Sequence, residues 1–164
     1  MQDMYEALQK QFRESMARLG SSVCIVTTKG DAGLCGMTVS AVCSVTDTPA
    51  TVMVCINRKS AMNAVFKANG HMGINVLNAQ QKDVAMQFSG KTDFTMEQRF
   101  ASDDWEHSTR LPRLKNAAAT LNGDIIQTVE MGTHTIFFVT IARIYLDENP
   151  SALVYFNRQF HELA

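Results

Sequence analysis

Residues 36–57 read GMTVSAVCSVTDTPATVMVCIN, and the fold is organised around this stretch. It holds two β-rich runs, Met37–Val45 and Thr51–Ile56, on either side of the turn Asp47-Thr48-Pro49-Ala50. The first run is rich in small and hydroxylated side chains, whereas the second is almost entirely apolar. Small side chains leave room for a flat ligand to lie against the backbone, where hydroxyl and N–H groups can bind its polar edge. The alternative is a plain core hairpin, in which the small residues only allow close packing.

The chain as a whole has the composition of an ordinary globular protein, with 164 residues, 46% hydrophobic residues and a net charge of -1. These values predict one domain over residues 1–164, with a core that needs no disulfide or metal. The balanced charge and the lack of Lys/Arg runs argue against nucleic acid as a partner. The polar N-terminus does not resemble a signal peptide, and no apolar run reaches the roughly 20 residues of a membrane helix. We therefore expect a cytoplasmic protein that does not bind membranes.

The cysteines and histidines do not indicate a metal site. Cys24, Cys35, Cys43 and Cys55 form no C-x-x-C pair, and no two histidines have a metal-ligand spacing. We expect all four cysteines to be buried, reduced thiols. The chain also lacks a P-loop and a G-x-G-x-x-G after a strand, so a Rossmann nucleotide site is not expected. Its carboxylates are scattered over turns and helix faces and form no acid–base pair.

Hydrophobic periodicity and turn residues predict short helices within a mainly β chain. The predicted helices cover residues 4–19, 61–68, 80–88 and 95–100, and the predicted strands cover 23–28, 34–45, 72–77, 117–121, 124–131, 135–145 and 153–156. Gly123 and Gly132 are expected to separate strands, and Trp105 to anchor a polar loop to the core. This order predicts a closed antiparallel barrel rather than a βαβ fold.

A strand-to-helix junction provides a candidate phosphate site. Arg58 and Lys59 precede the predicted helix N-cap, Ser60. A helix N-terminus offers free N–H groups and the positive end of the dipole. The alternative is a capped helix whose neighbouring cations are merely solvated.

Two further groups of residues are open to a structural or a functional interpretation. His134, in Gly132-Thr133-His134, is either a turn residue or a residue that faces a pocket beside the small-residue strand. The terminal run Tyr155–His161 mixes aromatics with a cation and an imidazole, a combination that can stack on a flat ring or close a barrel end.

Several of these segments, taken in order, resemble the short-chain flavin reductases, the small components of two-component flavin-dependent monooxygenases. The branch that serves aromatic-hydroxylating oxygenases is most similar, with the reductases of pyrimidine-ring degradation nearby. The resemblance spans Phe12 to His161. The matching segments are Gly36–Ala41, Cys43–Pro49, Val54–Asn57, Ser60–Asn63, Asn75–Leu77, Met96–Phe100, Gly132–His134 and Tyr155–His161.

The resemblance implies a split β-barrel that forms a homodimer, with flavin bound near the dimer interface. It implies hydride transfer from NADH or NADPH to free FAD, FMN or riboflavin, after which the reduced flavin leaves for a separate oxygenase. Such a transfer requires proximity and orientation but no general base, consistent with the missing acid–base pair.

The resemblance also implies the roles of individual residues. His134 would act beside the nicotinamide, and Tyr155, Arg158 and His161 would help to hold the dinucleotide. The flavin would contact Thr38, Val39, Ser40, Ala41, Cys55, Ile56, Asn57, Arg58, Lys59, Ser60, Ala61, Asn63, Ser89, Gly90, Lys91, Arg99 and Phe100. In this set the 38–41 run would lie along the ring edge, the 55–63 run would lie along the ribityl chain and phosphate, and the remaining residues would lie near the phosphate or adenine.

Three functions remain open at this point: a flavin reductase serving an aromatic hydroxylase, the same enzyme serving another oxygenase such as one of pyrimidine degradation, and a split-barrel protein that binds flavin or haem without turnover.

Overall fold

The computed structural model describes residues 1–164. The helices are α1 (Gln2–Met16), α2 (Ala61–Asn69), α3 (Lys82–Gln87) and α4 (Met96–Phe100). The strands are β1 (Ser21–Ser22), β2 (Cys24–Gly30), β3 (Gly33–Val39), β4 (Val42–Asp47), β5 (Ala50–Asn57), β6 (His71–Val76), β7 (Trp105–Glu106), β8 (Arg113–Leu114), β9 (Ala119–Met131), β10 (His134–Leu146), β11 (Ala152–Phe156) and β12 (Gln159–Leu163). None of the helices combines the length and apolar character that crossing a bilayer requires.

A seven-stranded antiparallel sheet dominates the fold, in the order β3-β2-β6-β9-β10-β5-β4. Its two edge strands, β3 and β4, are consecutive in the chain and are joined only by Ser40 and Ala41. The two edges of the sheet therefore meet at this link, but β3 and β4 do not pair through backbone hydrogen bonds. The prediction of a fully closed barrel was wrong. The chain turns at this link, where the Val42 N–H donates back to the Ser40 carbonyl at 3.0 Å. The split barrel that the resemblance implied fits this arrangement.

The predicted boundary at Gly123 was also wrong, because residues 119–131 form one continuous strand. A Cβ at position 123 would lie 2.1 Å from the Thr140 carbonyl oxygen on β10. The register of the two strands shifts nearby, between Ile141 and Arg143. Glycine is required here by the close approach of a neighbouring backbone, and it does not mark a turn.

Helix α2 has both of its predicted ends. The Ser60 hydroxyl accepts a hydrogen bond from the Met62 N–H at 3.3 Å, and Gly70 ends the helix with φ 74°. Both signals are local, because a side-chain oxygen satisfies a free N–H at one end and glycine adopts a left-handed conformation at the other.

The core has two parts. One lies inside the barrel, where Phe66 of α2 meets Phe137 of β10 with ring centroids 6.2 Å apart. The other lies beneath α3 and α4, where Trp105 packs against Phe88 at 5.2 Å and Phe100 at 4.8 Å. The prediction that Trp105 anchors its loop to the core is confirmed, since only 3% of this residue is exposed.

The chain end forms an unpredicted strand. β11 and β12 pair as a hairpin, and β1 completes a small three-stranded sheet. Asn157 and Arg158 turn the hairpin with φ values of 51° and 60°, the left-handed conformation that tight hairpins use. The Asn157 N–H donates to the Ala17 carbonyl at 2.6 Å, which holds the hairpin against the end of α1.

Two other expectations need correction. Helix α1 ends at Met16 rather than at residue 19, and it buries none of its side chains. Cys43 is exposed and Cys55 is half-buried, because both lie on edge or outward-facing positions of β4 and β5. Cys24 and Cys35 are buried as expected, and burial raises the pKa of each thiol to about 12.

Candidate active site

The link between β3 and β4 lies at the mouth of a cavity of about 190 Å³. Cavities of this size are small for a cofactor, but this one adjoins a second of about 430 Å³ through Ser40 and Tyr155. Several of the predicted site residues line the pair of cavities. They are Thr38, Val39, Ser40, Ser89, Lys91, Tyr155 and Arg158.

The backbone at the link presents two adjacent free donors. Neither the Ser40 N–H nor the Ala41 N–H meets an acceptor within the chain, and both residues are exposed. Thr38 differs, because its hydroxyl donates to the Ala85 carbonyl at 2.6 Å and its N–H donates to the Phe88 carbonyl at 3.0 Å. Thr38 therefore ties β3 to α3, while Ser40 and Ala41 hold the donors that a ligand can use.

A tight turn after α3 places a cation beside this link. Gly90 has φ 78°, and the Ser89 hydroxyl donates to the Met86 carbonyl at 2.7 Å. The same hydroxyl oxygen accepts from the Lys91 N–H at 3.4 Å. The Lys91 ammonium group has no partner in the chain, so its charge is available at the mouth of the cavity.

Arg99 on α4 is a buried cation without an anion. Only 9% of the residue is exposed, and its Nε and Nη1 atoms make no hydrogen bond. Its guanidinium lies 5.8 Å from the ring centre of Phe88, the residue whose carbonyl binds Thr38. The neighbouring Phe100 belongs to the core and packs edge-on against Phe88 at 5.0 Å. A buried charge with no counter-ion is unfavourable, which points to an anionic ligand.

The run that follows Cys55 is connected to the link directly. The Cys55 N–H donates to the Ala41 carbonyl at 3.1 Å, and burial raises the pKa of the Cys55 thiol. Ile56 points into the core, so only its backbone can reach a ligand. Asn57 accepts the Lys59 N–H on its Oδ1 atom at 2.9 Å, which forms the turn into α2.

Within the first turn of α2 the residues divide between structure and solvent. Asn63 is buried, and its amide donates to the Thr135 hydroxyl at 3.0 Å, so it fastens α2 to β10. Ala61 and Lys59 are exposed, and the Lys59 ammonium group has no partner.

Arg58 is held by the β9–β10 hairpin. Its Nη1 atom donates to the Gly132 carbonyl at 3.1 Å, and its Nε atom lies 3.1 Å from Glu130. Glu130 also binds Lys67 at 2.6 Å and accepts from the Thr135 hydroxyl at 2.8 Å. The hydrogen bonds from Lys67 and Thr135 hold the pKa of the Glu130 carboxyl below its ordinary value of 4.5. The charge of Arg58 is thus paired with Glu130 and has a structural role, whereas the charge of Lys59 is unpaired.

This network predicts a pH-dependent effect of Glu130→Gln. Because the Glu130 pKa is lowered on folding, its contribution to stability is fully present above its unfolded pKa and is lost as the pH falls through the folded pKa. We expect the variant to melt at a lower temperature than the wild type at pH 7, with the difference shrinking steadily below pH 4.5. The melting temperatures of both proteins across this range check the prediction, and a difference that does not change with pH would contradict it.

The predicted nicotinamide residues are not gathered in one place. His134 pairs with Asn57 at the end of β5, and its Nδ1 atom lies 2.8 Å from the Thr133 hydroxyl. It does not line the cavities. Arg158 forms a two-point ion pair with Glu14 of α1, at 3.2 and 3.3 Å. His161 lies 3.3 Å from the Phe156 carbonyl.

Sequence reasoning missed part of the cavity wall. Met86 and Phe160 line the smaller cavity, and Phe12, Met16 and Leu19 line the larger one. The apolar stripe of α1 was visible in the sequence, but its exposure was not. An amphipathic helix that leaves its apolar face open beside a cavity is the signal that could have found these residues.

Comparisons with known proteins agree on one family. The sequence pattern described as flavin reductase like domain matches residues 16–164. The chain is 48% identical over 159 residues to the 4-hydroxyphenylacetate 3-monooxygenase reductase component of Pseudomonas aeruginosa, covering 96% of this chain and 94% of that protein. It is 44% identical over 156 residues to the FMN reductase (NADH) RutF of Escherichia coli, covering 94% of each. A solved structure of a putative flavin reductase from Haemophilus somnus superposes with a TM-score of 0.87 at 37% identity, covering 94% of this chain and 98% of that one.

Proposed function

The chain belongs to the flavin reductase like family, and on this premise we propose that it is an NAD(P)H:flavin oxidoreductase that supplies reduced flavin to a separate monooxygenase. The observation that carries the proposal is the pair of free N–H groups of Ser40 and Ala41 at the mouth of the cavities. Two adjacent donors on a two-residue link between paired strands suit the polar edge of a flat ring on which negative charge develops.

The unpaired cations of the predicted site fit a phosphorylated flavin. Lys59, Lys91 and Arg99 carry cations that no carboxylate of the chain neutralises. Cations without partners, one of them buried, are the groups that a phosphate would satisfy. In this proposal Ser40 and Ala41 bind the ring edge, Lys91 and Arg99 bind phosphate, and Lys59 at the N-terminus of α2 extends the site, while Cys55 holds the link through its bond to the Ala41 carbonyl.

When bound, a flavin supplies the ring atom that accepts a hydride from the nicotinamide. The protein contributes orientation and electrostatics. Thr38 fixes β3 against α3, so that the link keeps its shape, and Asn63 fixes the start of α2 against β10. Tyr155 and Arg158, which line the cavities, are proposed to hold the dinucleotide, and His134 and His161 are proposed for this role from the resemblance alone. No residue has to remove a proton, since the hydride passes directly between two rings held in contact.

We place the working enzyme in the cytoplasm as a homodimer, each chain acting as one flavin reductase domain. The outer face of the sheet supports the dimer. Val54, Ile56, Phe137 and Val139 point into the core, so the alternating neighbours on β5 and β10 point outwards. These neighbours are half-buried and mainly apolar, and they are Met53, Cys55, Ile136 and Phe138.

Phe138→Glu tests this face. A carboxylate in the centre of an apolar interface is desolvated without a partner, so we expect the wild type to sediment as a dimer and the variant as a monomer. Lys29→Glu, near the exposed end of β2, adds the same side chain away from this face and should remain dimeric. Monomeric wild-type protein, or a dimeric Phe138→Glu variant with native circular dichroism, would argue against the interface.

We propose an aromatic-hydroxylating oxygenase as the first candidate partner, because a relative named above is the reductase component of 4-hydroxyphenylacetate 3-monooxygenase. An oxygenase of pyrimidine degradation is the second, favoured by the likeness to RutF. The test mixes the purified protein, NADH and FAD or FMN with each oxygenase component and its substrate, and measures the oxygenated product. Product formed by both oxygenases at the rate of flavin reduction would mean that the reductase is not dedicated to either one.

A further inference from the structure

A third cavity, of about 230 Å³, lies far from the β3–β4 link. It is bounded by the loop before β8 and by the irregular pairing of β9 with β10. Its lining includes His71, Arg110, Leu111, Asp124, Arg143 and Tyr145. Ile136 of β10 pairs with Cys55, whose N–H donates to the Ala41 carbonyl at the link. Tyr145 lies nine residues further along β10, so at about 3.3 Å per residue the two regions are about 30 Å apart along the strand. The proposed flavin site makes no use of these residues.

A chain of hydrogen bonds positions the Arg110 guanidinium at this cavity. His71 Nδ1 lies 2.8 Å from Asp124 Oδ1, and Arg110 Nη2 is in close contact with His71 Nε2. A guanidinium can only donate, so Nε2 accepts and Nδ1 carries the proton that it donates to Asp124. Asp124 therefore orients a neutral imidazole, and the imidazole orients Arg110 without neutralising it.

Arg143 is placed in a similar way. Its Nη1 atom donates to the Tyr145 hydroxyl at 3.4 Å, which is again a neutral partner. Neither Arg110 nor Arg143 has a carboxylate within ion-pair distance, and Asp124 is the only acidic residue that lines the cavity. The lining therefore has a net positive charge, carried by two guanidinium groups that are held in place before any ligand arrives.

We propose that this cavity binds a small organic anion. Two oriented guanidinium groups suit the oxygens of a carboxylate or a phosphate monoester, which they can bind with paired hydrogen bonds. The Tyr145 ring, which stacks at 4.4 Å against the Arg113 guanidinium, provides apolar surface for the body of the molecule, and Leu111, only 3% exposed, lines the cavity wall. The volume suits a body of about one ring and is below the range typical of larger ligands. This site is separate from the proposed flavin site and does not depend on it.

Calorimetric titration of the full-length, flavin-free protein tests the proposal. Benzoate, phenyl phosphate and inorganic phosphate are the probes, so that the two head groups and the contribution of the ring are compared. We expect one of the organic probes to bind at one site per chain and more tightly than inorganic phosphate. Arg110→Gln and Arg143→Gln should each weaken this binding by about tenfold or more, because each removes a hydrogen-bonded charge partner.

Two further variants distinguish anion binding at this cavity from a general attraction of anions to the positive charge of the protein. Arg18→Gln removes an exposed cation elsewhere and should leave the binding unchanged. His71→Gln keeps both arginines but removes the ring that positions Arg110, so it should weaken binding less than Arg110→Gln does. FMN titrations of the same variants should be unaltered, so the outcome is independent of the flavin proposal. Absence of organic-anion binding to the wild type, or equal binding to the wild type and to folded Arg110→Gln and Arg143→Gln, would overturn the proposal.

Discussion

Gly123→Ala should destabilise the protein by about 3 kcal/mol, at the upper end of the usual cost of overpacking. The reason is geometric, because the new Cβ would lie 2.1 Å from the Thr140 carbonyl oxygen and 2.8 Å from its carbon. These are backbone atoms of a paired strand and cannot rotate away, so β9 and β10 would have to separate locally. Urea unfolding followed by circular dichroism measures the change in the free energy of unfolding.

Gly20→Ala is the matched control. A Cβ there would meet only the Val154 side chain at 3.6 Å, an ordinary contact. We expect its free energy of unfolding to stay within about 0.5 kcal/mol of the wild type. Equal losses in the two variants would show that the close approach of β9 and β10 does not exist in solution.

Arg99→Met should separate stability from ligand binding. The Arg99 residue is 9% exposed, and its Nε and Nη1 atoms have no hydrogen-bond partner. Methionine retains much of the apolar stem and removes the unpaired charge. We therefore expect the flavin-free variant to gain about 1–2 kcal/mol of unfolding free energy, as apolar replacements of buried charges often do.

The same substitution should weaken the use of phosphorylated flavins. We expect the KM for FMN to rise by about tenfold or more, because a hydrogen-bonded charge partner of the phosphate is lost. The KM for riboflavin, which has no phosphate, should stay unchanged. Arg18→Met, which removes an exposed arginine, should alter neither the stability nor either KM appreciably. A loss of stability together with unchanged FMN kinetics would show that Arg99 is a structural residue.

The parts of the fold that the sequence predicted correctly depend on local interactions. The Ser60 cap and the Gly70 terminus of α2 concern residues within one turn of each other, and both were readable from residue type. The hairpin of β4 and β5 was readable for the same reason, because its turn residues lie between two β-rich runs. Such signals do not depend on where the rest of the chain lies.

The parts that could not be predicted depend on distant neighbours. Gly123 resembles a strand break in the sequence, and only the proximity of Thr140 shows that it belongs inside a strand. β12 was missed because its turn, Asn157-Arg158, has no glycine although both residues have positive φ. The interruption at Ser40 and Ala41 was missed because the strand-forming residues Val39 and Val42 flank it directly.

The candidate site shows the same division. The residue types around the link and the resemblance pointed to Ser40, Lys91 and Tyr155, which the structure brings to connected cavities. Arg99 is buried, and both hydrogen-bond donors of Thr38 bind carbonyls at the α3 segment. Both features depend on residues distant in the sequence, so they could not be predicted from it. They change the proposal in detail, since Thr38 becomes a positioning residue and the ring-edge donors become Ser40 and Ala41.

The most direct test of flavin reductase activity follows NADH absorbance with the purified protein, adding FAD, FMN, riboflavin or no flavin. We predict rapid oxidation of NADH or NADPH only when flavin is added, with the order of the three flavins giving the preference. Absence of oxidation with both nucleotides, in a preparation that binds flavin, would contradict a reductase and leave a protein that binds flavin without turnover.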